Sequence, residues 1–131
     1  MTKRQSGRTD LAPPPAGPYS QAVRMGPIAV SAGHGGATVD GVLAEDIGGQ
    51  VRQALDNVLA SLQAVGAGSD DVAQVRVYLT ATVDFAAMND VYGTYFSEPF
   101  PVRTTVYVTL PAGMLVEIDA LAVLPGGGQP A

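Results

Sequence analysis

The residues best suited to chemistry lie in the C-terminal third of this 131-residue chain. Glu117 and Asp119 stand two positions apart in the otherwise apolar run 115–124, so in a strand both carboxylates face the same side of the sheet. Apolar surroundings raise the pKa of a carboxyl group toward the range used in general acid–base catalysis. The same pattern fits the solvated face of an edge strand, and both interpretations stay open.

Arg103 is the natural partner of these carboxylates, because it lies on the preceding predicted strand, across a turn at 111–113. It is also the only basic residue after Arg76. A guanidinium group is a planar fork that can hold one carboxylate through two hydrogen bonds. The pattern fits a structural ion pair with Glu117 or Asp119 as well as it fits a binding site for a substrate carboxylate.

Other polar side chains lie at positions where they could contact a ligand. Tyr19 follows a tight turn, Ser31 ends an apolar strand, His34 lies in the Gly-rich stretch 33–41, and Asn89 lies in the second predicted helix. Each has an ordinary alternative: a tyrosine packed at the core edge, an unremarkable strand-end serine, a solvated loop histidine and a helix-surface amide. The Gly-rich stretch lacks the Lys-Ser/Thr ending of a phosphate-binding loop.

Composition excludes several kinds of site. The chain has no cysteine and one histidine, which removes thiolate chemistry and disfavours a multi-histidine metal site or a Ser-His triad. A net charge of −5 and the absence of tryptophan argue against nucleic-acid binding. No apolar run approaches the roughly 20 residues that span a bilayer, and the polar N-terminus lacks a signal-peptide core. We therefore expect a cytoplasmic protein that uses no metal or cofactor and binds neither nucleic acid nor membrane.

Apolar periodicity predicts an α+β sandwich with two helices on one face of a mixed sheet. The predicted order is strand, strand, helix, strand, helix, strand, strand, at 20–25, 28–31, 45–65, 75–79, 84–96, 102–109 and 115–124. We expect one domain over 1–131, folded over about 17–124, with a mobile N-terminal arm and a flexible Gly-rich tail.

Three of the predicted strands, 75–79, 102–109 and 115–124, are apolar on both faces in places. The helices can cover only one face of the sheet. An uncovered apolar face favours association with another copy of the chain, so the pattern predicts an oligomer.

Five segments in a fixed order resemble the RidA/YjgF family of reactive intermediate deaminases, over about 15–123. They are G-P-Y-S-Q-A (17–22), Q-V-R-Q-A-L-D-N-V (50–58), D-F-A-A-M-N-D-V-Y (84–92), F-P-V-R-T-T-V (100–106) and L-P-A-G-M-L-V-E-I-D-A-L-A-V (110–123). The resemblance implies a chorismate mutase-like α+β fold. It also implies a homotrimer whose sheets form a central barrel, with active-site clefts between subunits.

The resemblance further implies hydrolysis of 2-aminoacrylate-type enamines and 2-imino acids to 2-keto acids and ammonia. Arg103 would hold the substrate carboxylate, and Glu117 would orient or activate the attacking water. The remaining substrate-binding positions would be Tyr19, Ser31 and Asn89 at the cleft, and Thr105, where some members carry cysteine and backbone groups can contact the ligand.

One departure from the family bears on specificity. Many members have S-G-Q-I-P after the second strand, whereas residues 31–35 here are S-A-G-H-G. Alternative functions are a non-catalytic trimer that binds keto or amino acids, and a side group of the family specialised for another catabolic intermediate. Some relatives are described as ribonucleases, but net charge and the single histidine argue against that activity.

Overall fold

A computed structural model describes residues 3–125 and has two α-helices packed on one face of a seven-stranded mixed sheet. The predicted α+β class is therefore confirmed. The strands are β1 (Gln5–Gly7), β2 (Ala22–Met25), β3 (Ile28–Ser31), β4 (His34–Gly35), β5 (Val72–Leu79), β6 (Val102–Tyr107) and β7 (Val116–Val123); the helices are α1 (Ile47–Gln63) and α2 (Phe85–Tyr92). The predicted Gly-rich tail lies outside the described residues.

The order of strands across the sheet is β1-β2-β3-β7-β5-β6, and the short β4 pairs with β7 beyond the end of β3. Among these seven strands of residues 3–125, β5 and β6 form the one parallel pair. A parallel pair needs a crossover connection, and α2 provides it. Strand β5 therefore lies between β6 and β7, although β6 and β7 follow each other in the chain.

Helix α1 forms where the apolar stripe predicts it, and local signals set its ends. Asp46 caps the N-terminus by accepting a hydrogen bond from the Gly49 N–H at 3.3 Å. Gly66 follows the C-terminus at φ 90°, a conformation that glycine adopts without strain. The stripe packs against the sheet through the buried residues Val51, Leu55, Val58 and Leu62.

Helix α2 is shorter than the sequence predicts. It ends at Tyr92, whereas the apolar pattern continues to Phe96. Tyr95 and Phe96 still pack against the core after the helix has ended, and the rings of Tyr92 and Phe96 lie 5.1 Å apart. The apolar pattern continues past Tyr92 because the residues that follow the helix are also packed against the core. Periodicity alone therefore predicts a helix that is too long.

The two faces of the sheet have different surroundings. Val75, Val77 and Ile118 are fully buried under the helices. Residues of the other face are half-buried or exposed, and they include large apolar side chains. The most exposed of these are Val102, Val106, Val123, Ile28 and Met25.

The predicted mobile arm is wrong for the described residues, because Gln5–Gly7 forms a strand with Ala22–Met25. Gln21, which is 2% exposed, ties the chain between them to the domain. Its side chain accepts from the Thr9 N–H at 2.8 Å and donates to the carbonyls of Thr9, Ala12 and Pro13. A run of three prolines is extended and does not pack by itself, but a buried amide can hold it.

Replacing Gln21 with Ala should release this arm. Buried backbone groups that lose their partner cost about 1–3 kcal/mol each, so residues 3–16 should detach more easily than the domain unfolds. The measurement is the rate of trypsin cleavage after Arg8 under native conditions, with Gln63→Ala, an exposed residue at the end of α1, as control. Equal cleavage rates in wild type and Gln21→Ala would show that Gln21 does not hold the arm.

Candidate active site

An open cleft of about 800 Å³ lies on the helix-free face of the sheet. It is bordered by the turn before β2, the end of β3 and the start of β7. Val23 and Val30 give it an apolar floor, and its polar lining includes Tyr19, Ser31, Glu117 and Arg4. The lining combines apolar surface with a few polar groups, which is typical of small-molecule sites.

Glu117 is the acidic group of this cleft. Burial, and to a lesser degree the charge of Asp119, raises the pKa of the Glu117 carboxyl above its usual value. None of the hydrogen bonds and ion pairs formed within residues 3–125 involves this carboxylate. A desolvated carboxylate without a partner is a stronger base than an ordinary glutamate, so Glu117 is suited to take a proton from water.

Asp119 lies on the same face, as the sequence predicts, but its charge is already paired. Arg76 Nε donates to Asp119 Oδ1 at 2.8 Å, and the Tyr78 hydroxyl donates to Oδ2 at 2.9 Å. Arg76 and Tyr78 lie on β5, in register with Asp119 and Glu117. The alternation of 74–79 places Arg76 and Tyr78 on one face, but no pattern in the sequence shows that both bond Asp119.

Of the two alternatives for Arg103, the structure excludes an ion pair with Glu117 or Asp119 within the described chain. Arg103 lies on β6, and β5 separates β6 from β7. Arg103 is in register with the buried Val75, on the helix side of the sheet, whereas Glu117 is in register with Tyr78 on the other side. Within one chain the two groups therefore face opposite directions.

Arg103 is held by α2. Its guanidinium carbon lies 4.8 Å from the ring centre of Tyr92 and 5.6 Å from that of Phe85, and Nη1 contacts Met88 Sδ at 3.7 Å. Aromatic faces attract the cation without occupying its N–H donors strongly. In the described part of the chain, no carboxylate pairs with Arg103, so its fork is available to a ligand.

Tyr19 and Ser31 lie at the cleft with Glu117. The Tyr19 side chain is 51% exposed, and its hydroxyl accepts from the Ala16 N–H at 3.0 Å, so it can still donate to a ligand. Ser31 Oγ accepts from the Ala120 N–H at 3.1 Å and donates to the Ala32 carbonyl at 2.9 Å. The Ser31 hydroxyl thus joins β3 to β7 at the point where their ladder ends.

Asn89 and Thr105 belong with Arg103 instead. Asn89 is half-buried on α2, and Thr105 is in register with the buried Val77 on the helix side of the sheet. The structure therefore divides the six predicted site residues into two groups, one at the cleft and one beside α2. Phe85, Met88 and Tyr92, which contact Arg103, lie within the predicted helix 84–96 but were not among the predicted site residues.

His34 is neither in a loop nor solvated. It forms β4, opposite Ile118 on β7, and is 7% exposed. Its Nε2 lies 2.8 Å from Ser61 Oγ on α1, behind the sheet. Burial lowers the pKa of the imidazole, an effect partly opposed by a hydrogen bond to the Gln21 backbone. His34 is a structural residue of the core.

Two further properties concern the whole described region. Among residues 3–125, no three His, Asp or Glu side chains group closely enough to hold a metal ion. Within the same residues, neither α1 nor α2 has the length and hydropathy that a membrane-crossing helix requires. The cytoplasmic location stays a prediction.

Comparison with known proteins adds an independent line of information. The family model described as Endoribonuclease L-PSP matches residues 9–124. A RutC family protein of Pyrococcus horikoshii is 45% identical over 119 residues, 87% of this chain and 93% of the relative. The 2-iminobutanoate/2-iminopropanoate deaminase of Salmonella typhimurium is 38% identical over 122 residues, 88% and 94% of the two chains. The structure of Escherichia coli TdcF with bound serine superimposes with a TM-score of 0.86 at 34% sequence identity, over 91% of this chain and 98% of that chain.

The buried imidazole should make stability fall on mild acidification. Burial holds the pKa of His34 in the fold below the usual value of 6.5 that applies in the unfolded chain, so as pH falls below that value the unfolded state binds more protons than the folded state. We expect a lower urea midpoint at about pH 5.5 than at about pH 7.5. Because the chain has one histidine, His34→Gln should reduce this difference. If His34→Gln showed the same difference in urea midpoint as the wild type, the pH dependence would come from other groups.

Proposed function

The chain belongs to the Endoribonuclease L-PSP family, which includes RidA and YjgF, and on that basis we propose that it is an imine deaminase. Its substrates would be 2-imino acids and their 2-aminoacrylate-type enamine tautomers, and its products 2-keto acids and ammonia. The observation that carries this proposal is the combination of an unpaired Arg103 with an unpaired, desolvated Glu117. Arg103 would bind the substrate carboxylate, and Glu117 would take a proton from the attacking water.

The proposed reaction needs only placed groups and one proton carrier. Glu117 takes a proton from water as the oxygen adds to the C=N carbon, and the protonated Glu117 gives this proton to the imine nitrogen, which becomes an amine. Glu117 then takes the proton of the new hydroxyl group and passes it to the amine, so that the C–O bond becomes a carbonyl as the C–N bond breaks and ammonia leaves. An imine carbon is already electrophilic, so positioning and acid–base catalysis supply the rate.

Arg103 would anchor the substrate. Its guanidinium group can donate two charge-assisted hydrogen bonds to the substrate carboxylate, which contribute about 1.5–3 kcal/mol each. Tyr19 and Ser31 would line the cleft beside the reacting carbon. Asn89 and the backbone at Thr105 would contact the ligand from the arginine side.

We propose that the protein acts as a homotrimer, whose sheets form a central barrel, with each site shared by two subunits. Arg103 and Glu117 face opposite sides of one sheet, so one substrate can reach both only if Arg103 of one subunit faces Glu117 of its neighbour. Burial of the apolar side chains on the helix-free face, such as Val102 at 65% exposure, would favour this assembly.

A second candidate is a trimer that binds keto or amino acids without turnover. The relative TdcF carries bound serine, which favours this candidate. Binding needs the Arg103 anchor but not the basicity of Glu117, so the raised pKa of the Glu117 carboxyl favours the deaminase. A family side group with another catabolic intermediate would share the mechanism and differ in the cleft loop 32–36.

The first test removes the proposed anchor. Arg103→Ala should lower kcat/KM by about tenfold to a hundredfold or more, because at least one charge-assisted hydrogen bond is lost. The assay generates 2-aminoacrylate in place with a PLP-dependent lyase and follows the appearance of keto acid.

Arg76→Ala is the matched control, because Arg76 lies on the adjacent strand and is bonded to Asp119. It should retain near wild-type activity. Unchanged turnover in Arg103→Ala would remove Arg103 from the site. Wild-type protein that binds substrate without accelerating its decay would favour the binding trimer.

The second test asks whether subunits share the site. Arg103→Ala and Glu117→Gln should each be nearly inactive alone. After denaturation and refolding together in equal amounts, random trimers should regain about one quarter of wild-type activity, since a shared site receives both intact residues with that probability.

Separately refolded variants, mixed only afterwards, are the control for this experiment. Activity that stays at the level of the single variants after joint refolding would place Arg103 and Glu117 in the same subunit's site. Sedimentation of wild-type protein as a monomer would contradict the shared site directly.

A further inference from the structure

We propose that Gly33 is a positioning residue, whose missing side chain allows the Glu117 carboxylate to lie against the backbone that leads into β4. This inference deepens the proposed function, because it names what holds the proposed base in its desolvated position. It also explains why the cleft loop has a glycine at position 33.

The contact is a direct steric one. A Cβ added to Gly33 would lie 2.5 Å from Glu117 Oε2, 3.0 Å from Cδ and 3.3 Å from Cγ. All three nearest atoms belong to one side chain, and real Cβ atoms essentially never approach closer than 3.0 Å. Glu117 therefore occupies the space that any side chain at position 33 would take.

Backbone conformation does not explain this glycine. The glycines with positive φ are Gly26, Gly41, Gly66 and Gly113 in the described chain, and Gly33 is not one of them. The left-handed backbone that favours glycine is therefore not the reason for a glycine at this position. The requirement for glycine therefore comes from Glu117.

The loop cannot easily move away from Glu117. The Ala32 N–H donates to the Gln21 carbonyl at 2.8 Å. At Gly36, an added Cβ would lie 2.5 Å from the carbonyl oxygen of Gln50, which shows how closely the loop packs on α1. The Gln50 side chain in turn bonds Gly113 and Leu115. A side chain at position 33 would consequently displace the flexible carboxylate and not the loop.

Displacement would change the chemistry of Glu117. Pushed off the backbone, its carboxylate would turn into the open cleft and regain water. The pKa of its carboxyl would then fall toward the usual 4.5, because burial is the main cause of its rise. The base would be weaker and misplaced, while the Arg103 anchor on the other face would be unaffected.

Gly33→Ala tests this proposal, with Gly35→Ala as its matched control. Gly35 lies in the same segment and is the register partner of Glu117, but a Cβ there meets the terminal methyl of Met114. The first readout is the carboxyl pKa of Glu117 from carbon-13 NMR titration, assigned by the signal lost in Glu117→Gln. The second is the pH dependence of kcat and KM in the deaminase assay.

We expect Gly33→Ala to lower the Glu117 carboxyl pKa and to reduce kcat about tenfold or more with little change in KM. The acidic limb of the pH profile should move to lower pH. Gly35→Ala should keep the wild-type carboxyl pKa. In the Glu117→Gln background, Gly33→Ala should reduce kcat no further, because the two residues act through one group.

Three outcomes would overturn the proposal: a wild-type carboxyl pKa in Gly33→Ala, the same pKa change in Gly35→Ala, or independent multiplication of the two losses in kcat. The NMR titration needs no substrate, so it still tests the positioning if the wild type shows no deaminase activity. If Gly33→Ala is too unstable for NMR, its melting temperature is compared with that of the double variant Gly33→Ala/Glu117→Ala. The double variant should be the more stable of the two, because the glutamate side chain that clashes with Ala at position 33 has been removed. No restoration would contradict the steric contact.

Discussion

The insertion of β5 between β6 and β7 is the constraint on which the candidate site depends. Side chains alternate along each strand, and adjacent strands keep the same alternation at paired positions. Arg103 is paired in register with Val75 and lies on the same face of the sheet as Val75. Glu117 is paired with Tyr78, on the opposite face. The two charges are consequently on opposite sides of one sheet and two strands apart. A single chain holds both halves of the proposed chemistry but cannot bring them together.

The sheet also gives three charged groups different tasks through their neighbours. Asp119 is ion-paired with Arg76 and accepts a hydrogen bond from Tyr78, so both of its carboxylate oxygens already have partners. Glu117, two residues earlier, has no such partner and lies half-buried against Gly33. Arg103 is held by aromatic faces and by Met88 Sδ, and no carboxylate of the described residues pairs with it. A desolvated charge without a partner costs stability, and this cost is typical of groups retained for function.

Much of the architecture could be predicted because it follows from local pattern. The period-2 alternation of 75–79, 102–109 and 115–124 identified three strands, and the stripe through Val51, Leu55 and Val58 identified α1. Strands β1 and β4 were missed, since three residues and two residues are too short to show alternation. His34 was misplaced for the same reason: its burial results from Ser61 and β7, which are distant in the chain.

By itself, the sequence determined the helices, the main strands, the shared face of Glu117 and Asp119, and the motifs by which it resembles its family. Periodicity and motif spacing are local, so they can be read along the chain. Only the tertiary structure decided that β5 separates Arg103 from Glu117, that Asp119 is bonded to Arg76 and Tyr78, and that Glu117 fills the space above Gly33. Such contacts join residues tens of positions apart, and they depend on strand order and close packing, which no local pattern encodes.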